Sequence, residues 1–288
     1  MNQAVWSRPY QHAIVIPLFG VLPEGLLDYL HSLVRCGLWV VLVDNNPQPL
    51  HGQSGLVGEW EMLYNYNRGG IAGGLNYGIN HVRQLGWEWI TLLDQDSRIP
   101  ADQICRLLEP WQTSAFNCQL IVGPSIWDEQ RQIRHGRWQA SNTAFEETRL
   151  LISSGTTFRS SDWPKLGSLH EDLFIDFVDH AWCFRAQARG FQLLQHAEVI
   201  LKQQFGAEHP NRLCRRLGLQ LYSPERHFYG LRNLRWLCLQ PYIPLDLKLK
   251  ELIKMLIKPW LWLLFEPQRL ANLNAVVWGL MAPLPRNY

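Results

Sequence analysis

Short apolar runs that stop at polar clusters, with helix-spaced segments between them, restrict this chain more than any other feature. Ala13–Pro17 reads AIVIP, Leu38–Val43 reads LWVVLV and Trp89–Leu93 reads WITLL. Runs this short and this continuously apolar predict strands buried on both faces. Met62–Tyr66 is a weaker strand, and Gln119–Val122 is another. Between them, Leu26, Leu27, Leu30, Leu33 and Val34 recur at helical spacing over Glu24–Cys36, and Gly37 ends the pattern. A second helix is expected from Ile71 to Leu85, and Pro100 opens a third at its first turn. This alternation predicts an α/β fold with a Rossmann-like, mostly parallel sheet flanked by helices. The polar clusters fall where open sheets of that kind bind ligands, just past the strand ends.

Further on, Arg131–Leu150 is polar and irregular and reads as an excursion. Strand character returns at Leu150–Ile152, and a helix is expected over Val178–Arg189, closed by Gly190. After Gly206 the pattern is helical, with segments over Glu225–Leu239, Leu245–Phe265 and Gln268–Met281. The length of 288 residues suits one large domain with an appendage. With 47% hydrophobic and 18% charged residues the chain is not a disordered one. Six cysteines without a CxxC pair argue against a zinc ribbon or thioredoxin site and predict reduced, mostly buried thiols in a cytoplasmic protein. Met1–Tyr10 has no apolar core behind a basic head, so no signal peptide is read. The longest apolar stretch, Met255–Phe265, is interrupted by Lys258 and Pro259 and falls short of a spanning helix.

Acidic residues dominate the strand ends. Asp94-Gln95-Asp96 follows an apolar strand and offers two carboxylates one residue apart, the ligand type that hard cations such as Mg²⁺ or Mn²⁺ take, with water and phosphate completing the shell. A solvated turn is the simpler reading of the same residues. Asp44-Asn45-Asn46 follows another buried strand and suits either a base or ribose contact or a turn closed by Pro47. Asn67 to Asn76 is a glycine-rich helix entry spaced GGxxGG, neither GxGxxG nor a P-loop. It suits an anion at a helix start or close helix–sheet packing. Asp176 and Asp179 stand three apart at a helix start, where one could be a general base and either could be an N-cap.

In order along the chain these pieces are Val43-Asp44-Asn45, then Asn67-x-Gly69-x-Ile71-Ala72-x-x-x-Asn76-x-Gly78. Next come Leu93-Asp94-Gln95-Asp96-Ser97, Gly123-Pro124, Ser153-Ser154-Gly155, and Leu173-Phe174-Ile175-Asp176-x-Val178-Asp179-x-x-Trp182-Cys183-x-Arg185. Tyr229-x-x-Arg232-Asn233 ends the series. Together they resemble the family-2 glycosyltransferases with the GT-A fold, in the rhamnosyltransferase branch, over about residues 12–235. The resemblance implies an inverting transfer from a nucleotide-sugar donor, dTDP-L-rhamnose in this branch. The acceptor is a glycan or lipid-linked glycan in the assembly of surface polysaccharides such as O-antigen. It implies Asp179 as catalytic base and Asp94 and Asp96 at a Mg²⁺ or Mn²⁺ site. Donor contacts fall to Asp44, Asn67, Gly69, Asn76, Asp94, Gln95, Ser154, Gly155 and Arg232. Residues 1–207 then form the catalytic domain and 208–288 a helical extension.

Two positions depart from the pattern. Ala181 stands where the family usually has Glu, and Gln203 stands before Gly206 where it tends to have His. The same fold with another donor sugar, or a non-catalytic relative that binds a glycan or partner, are the alternatives. The charge is also uneven: residues 202–288 hold 13 Lys/Arg and 5 Asp/Glu, a balance of +8, whereas residues 1–201 hold 14 and 20, a balance of −6. Lysines 248, 250, 254 and 258 recur about once per turn among Leu, Ile and Trp. That suits a helix on the inner face of an anionic membrane, a helix packed on the domain, or a homo-oligomer contact. No nucleic-acid module is present, so nucleic acid is not an expected partner.

Overall fold

The structure is a computed structural model that describes residues 11–49, 58–112, 119–129, 132–135, 144–203, 207–208, 211–212, 215 and 220–286. Cys118, Cys214, Gly206 and His209 lie outside the described residues.

Strands β1 (His12–Leu18), β2 (Trp39–Asp44), β3 (Glu61–Tyr64) and β4 (Trp89–Leu92) form a parallel half-sheet in the order β3-β2-β1-β4. Alternation along each strand feeds two cores. Ala13 and Val15 of β1, with Val41 and Val43 of β2, meet helix α2 (Gly70–Gln84) through Ala72, Leu75, Ile79 and Val82. Ile14, Ile16 and Leu18, with Val40 and Leu42, meet helix α1 (Leu26–Arg35) through Leu26, Leu30 and Leu33. With both faces covered, β1, β2 and β4 are largely apolar, as the sequence predicts, whereas β3 at the sheet edge is only half-buried.

Glycine lets α2 approach the sheet. A Cβ built on Gly78 would stand 2.4 Å from Val15 Cγ1 and 2.9 Å from Val43 Cγ2. Gly78→Ala is therefore expected to destabilise the protein by about 2 kcal/mol through overpacking, read as a lower midpoint in urea unfolding.

The other half of the sheet is mixed. Strand β8 (Thr157–Arg159) inserts antiparallel between β4 and β5 (Gln119–Asp128). Strand β9 (Phe191–Gln203) runs parallel to β5. Strands β6 (Ile133–His135) and β7 (Phe145–Glu147) pair antiparallel with β5 and β9. Parallel character thus belongs to the first four strands and the β5–β9 pair. The excursion contains β6 and β7, whereas Leu150–Ile152, expected as strand, is irregular; Leu151 is apolar because it packs against Gly123 of β5. His12 joins β1 to the inserted strand: its Nε2 lies 2.7 Å from Thr91 Oγ1, which lies 2.6 Å from Thr157 Oγ1. Burial holds this histidine neutral, its pKa pushed down to about 3.

Short helical turns α3 (Ala101–Ile104), α4 (Glu109–Gln112) and α5 (Trp163–Leu166) cover the sheet, and α6 (Val178–Ala188) packs beside β9. Beyond a two-residue ladder of β10 (Ala207–Glu208) and β11 (Gln220–Leu221), the chain is helical: α7 (Pro224–Leu239), α8 (Leu245–Phe265) and α9 (Arg269–Met281). Ser223 caps α7, its Oγ accepting from Arg226 N, and Pro224 opens the first turn. A buried group ties the three helices together. His227 stacks on Trp262 at 3.8 Å and lies 2.9 Å from Glu266 Oε2, which also accepts from Asn272 Nδ2 at 2.8 Å. Of the four described cysteines, all free, only Cys183 is buried. Cys36 is exposed and Cys105 and Cys238 are half-buried, against the expectation of mostly buried thiols.

Candidate functional site

The carboxyl ends of β1, β2 and β4 lie side by side, so Asp44 and Asp94 share one edge of the sheet. At that edge the turn after β2 is knitted to its neighbours. Asp44, buried, accepts from Asn46 N at 3.0 Å and Asn46 Nδ2 at 2.7 Å, and Asn46 Oδ1 accepts from Gly20 N at 2.8 Å. Gln95 faces the same stretch: Phe19 N donates to its Oε1 at 3.0 Å, and its Nε2 donates to Phe19 O at 2.8 Å. The side chains of Asp44 and Gln95 therefore build the rim formed by residues 19–21 and 44–46.

Asp94 belongs to a second group. Its backbone N donates to Ser154 Oγ at 3.1 Å. The preceding residue, Ser153, donates its N to Asp179 Oδ1 at 3.2 Å. One dipeptide thus holds Asp94 on one side and Asp179 on the other, joining β4 to the first turn of α6. Gly155 makes the turn possible: its φ is +82°, its N donates to Leu92 O at 2.6 Å, and a Cβ there would meet Pro124 Cγ at 2.4 Å. Gln203, at the end of β9, closes the group with its Nε2 3.4 Å from Asp94 Oδ2.

Burial and neighbouring carboxylates act on Asp94. Protein atoms crowd Asp94, which keeps only part of its surface accessible. Burial, then Asp96 and Asp179, pushes its pKa up to about 7, against the hydrogen bond from Gln203. Burial pushes Asp179 up to about 6, opposed by hydrogen bonds from Ser153 and assisted by Asp176. Asp96 is exposed.

Both raised groups hold a proton more tightly in the folded protein than in the unfolded chain. Their contribution to stability is complete below the ordinary value of 3.8 and is lost as pH rises through about 6 and about 7. With chelator present, Asp94→Asn is therefore expected to gain thermal stability over the parent as pH is raised across that window. Melting temperatures at stepped pH check this; a constant difference between the two proteins would contradict it.

The donor set suits a hard divalent cation. Asp94 and Asp96 offer carboxylate oxygen, and Gln203 Oε1, beside Asp94, is buried with no hydrogen-bond partner. No Lys or Arg among the described residues hydrogen-bonds Asp94 or Asp179. Nor do the described residues hold a cluster of three His, Cys, Asp or Glu side chains that makes a complete cage. A cation here would take its remaining ligands from water and phosphate.

The remaining predicted residues are placed differently. Asn76 is a tether: its Nδ2 donates to Leu169 O at 2.9 Å and Glu171 Oε1 at 2.8 Å, and its Oδ1 accepts from Leu169 N at 2.9 Å. Asn67 and Gly69, at φ of 54° and 67°, shape the entry to α2. A Cβ on Gly69 would stand 2.8 Å from Glu171 Cβ. The glycines therefore serve close packing around α2. Arg232 lies 4.8 Å over the Tyr229 ring and donates to the carbonyls of Asp172 and Leu173. Asp176 and Asp179 do not cap α6. Phe177 is the N-cap without a side-chain bond, and Asp176 accepts from Arg226 Nε at 3.0 Å and Nη2 at 2.9 Å. Arg226 acts here without a local signal of its own in the sequence, and the partners of Gln203 and Asn233, two residues that the sequence pattern includes, are not legible from it, because the three find their partners 50, 109 and 57–60 residues away.

The pattern of Glycosyl transferase family 2 matches residues 13–163, just over half of the chain, and includes Asp44, Asp94, Asp96 and Ser154. The chain is a family-2 glycosyltransferase. The dTDP-rhamnosyl transferase RfbF of Shigella flexneri is similar to it, with 25% identity over 81% of this chain and 82% of the relative. Among solved structures, GalNAc-T7 with UDP, GalNAc and Mn²⁺ superposes with a TM-score of 0.55 at 14% identity, over 88% of this chain and 56% of that one. The glycosyltransferase thus spans little more than half the length of GalNAc-T7. S. aureus TarS 1-349 superposes with a TM-score of 0.51 at 11% identity, over 93% and 80%. The glycosyltransferase has the GT-A fold that these structures share.

Proposed function

We propose that this enzyme moves L-rhamnose from dTDP-L-rhamnose to a glycan or lipid-linked glycan acceptor in polysaccharide biosynthesis, with inversion at the anomeric carbon. The observation that carries the chemistry is the Ser153–Ser154 bridge, which sets Asp94 and Asp179 on either side of one loop. The donor sugar rests on the likeness to the rhamnosyl transferase.

In this reading residues 1–207 carry the transfer and 208–288 the helical extension. Asp179 accepts the proton of the acceptor hydroxyl. Its raised pKa makes it a stronger base than an ordinary carboxylate while leaving most of it ionised at neutral pH. Asp94 and Asp96 would hold Mg²⁺ or Mn²⁺, with Gln203 in reach, and such a cation would supply positive charge for the diphosphate leaving group. Asp44 and Asn46 shape the edge on which the nucleotide base rests. Ser154 and Gly155 keep the loop seated against β4. Arg232 keeps the segment before Asp179 in place and reaches phosphate only if it leaves the carbonyl of Asp172.

Calorimetry with dTDP-L-rhamnose, UDP-glucose and GDP-mannose, each with and without Mn²⁺, tests this. Cation-dependent binding of dTDP-L-rhamnose alone is expected. Preference for another donor reassigns the sugar and keeps the reaction. Folded protein that binds no nucleotide sugar leaves only the non-catalytic reading. That reading draws on Gln203 and on the buried Ala181, which leave the site with fewer ionisable groups.

A further inference from the structure

One face of the helical extension is apolar and faces solvent. Along α8, Leu249, Leu252, Ile253, Leu256, Trp260 and Leu264 are all exposed, Leu256 at 74% and Trp260 at 67%. Their spacing of three, one, three, four and four residues puts them on one stripe. The opposite side is fixed inward by Trp262, stacked on His227. The helix therefore cannot roll to hide the stripe without breaking that buried stack. Helix α9, packed against α8, adds exposed Leu270, Trp278 and Met281. A monomer in water rarely presents apolar surface on this scale without a use for it.

Charge selects the occupant. Lys250 and Lys254 follow one another by a helical turn beside the stripe, with Lys258 a turn further. Residues 245–286 hold six Lys/Arg and three Asp/Glu. All three acids are engaged within the chain: Asp246 with Arg149 at 2.7 Å, Glu251 with Lys254 at 2.5 Å, and Glu266 with His227 at 2.9 Å. Pairing this face with a second copy in a two-fold dimer would set one basic face against another. An anionic surface complements it, and the acidic residues 1–201 would turn the rest of the molecule away from that surface. Among the described residues no helix is long and apolar enough to cross a membrane. The exposed tryptophans are of the kind that settle at headgroup depth.

We propose that α8 and α9 lie flat on an anionic lipid bilayer, the apolar stripe in the interface and the exposed Lys250 against lipid phosphates. Glu251, Lys254 and Lys250 of α8 all act on His180, the residue after Asp179, whose pKa burial above all holds low, so this side of α8 faces the first turn of α6. Docking of α8 would thus bring that turn toward the bilayer. A membrane-borne acceptor would meet the base there, a consequence that rests on the transferase reading above.

Co-sedimentation of the full chain with vesicles of phosphatidylcholine, with or without phosphatidylglycerol, tests the docking. Binding is expected only with phosphatidylglycerol, weakening with salt and shifting tryptophan emission to the blue. Leu256→Ser with Trp260→Ser should weaken it at least tenfold. Lys250→Gln should weaken it about fivefold. These variants should keep the parent's melting temperature and nucleotide-sugar binding, so failure of docking and failure of the transferase reading are read separately. Absence of vesicle binding by folded protein, or binding indifferent to phosphatidylglycerol, overturns the proposal. So does a concentration-dependent dimer that Leu256→Ser with Trp260→Ser dissolves, which would assign the stripe to a second copy.

Discussion

Asp179→Asn is expected to bind the nucleotide sugar as the parent does and to turn over roughly 10³-fold more slowly, within the range that a positioned general base contributes. Asparagine keeps the size of the side chain, and its Oδ1 can still accept from Ser153 N, so the loop that also holds Asp94 stays in place. What disappears is the capacity to take a proton. In the parent, the rate should rise with pH through about 6, the region to which burial lifts the Asp179 carboxyl. In the variant that dependence should flatten. Steady-state kinetics over stepped pH, with donor affinity measured in parallel by calorimetry, gives both quantities. A kcat within twofold of the parent would assign the base to another group. The family match ends at residue 163, short of Asp179, whose base role rests on the Phe174-Ile175-Asp176-x-Val178-Asp179 resemblance and on its tie to Ser153.

Asn233→Ala should cost about 4 kcal/mol of stability. The side chain is fully buried, and its Nδ2 serves Leu173 O at 2.7 Å, Ile175 O at 2.7 Å and Asp176 O at 3.1 Å. Those carbonyls lie in a segment where Phe174, Asp176 and Phe177 have φ of 64°, 61° and 61°, a conformation that side chains with a Cβ resist. Removing the amide takes a donor from three carbonyls, of which that of Leu173 keeps Ile175 N and those of Ile175 and Asp176 are half-buried, at about 1–3 kcal/mol apiece, and lets the segment relax. Urea unfolding measures the loss. Because the segment leads directly into Asp179, activity should fall further than stability alone explains, which activity assays well below the unfolding midpoint would show. A loss under about 1 kcal/mol would mean that the Phe174–Tyr229 stack at 4.9 Å and the Asp176–Arg226 pair hold the segment without Asn233.

The elements that the sequence makes legible are those whose signal is local. The strands ending at Asp44 and Leu92 are runs of apolar residues, because both faces of the sheet are covered. Helix α8 runs from Leu245 to Phe265, the span that its periodicity predicts, because an amphipathic helix writes its apolar side into every turn, whether that side is covered or, as here, exposed. Strand β8 is three residues long and stands antiparallel between two longer strands, so it leaves almost no periodic trace; Leu150–Ile152, apolar but irregular, reads more like a strand than it does. No strand is expected from the sequence over Phe191–Gln203, although its thirteen residues partly alternate between buried and open positions.

Within the site the same division holds. That carboxylates and glycines gather at strand ends was determined by the sequence alone, because strand ends are set by short-range burial and turn chemistry. The tertiary structure decided which of them meet. It turned Gln95 toward the backbone of Phe19, spent Asn76 on Leu169 and Glu171, and joined Asp94 to Asp179 through Ser153 and Ser154. Those choices depend on which atoms lie within about 3 Å once the sheet has closed. Residues 60 or 93 positions apart carry no mutual signal until packing brings them there.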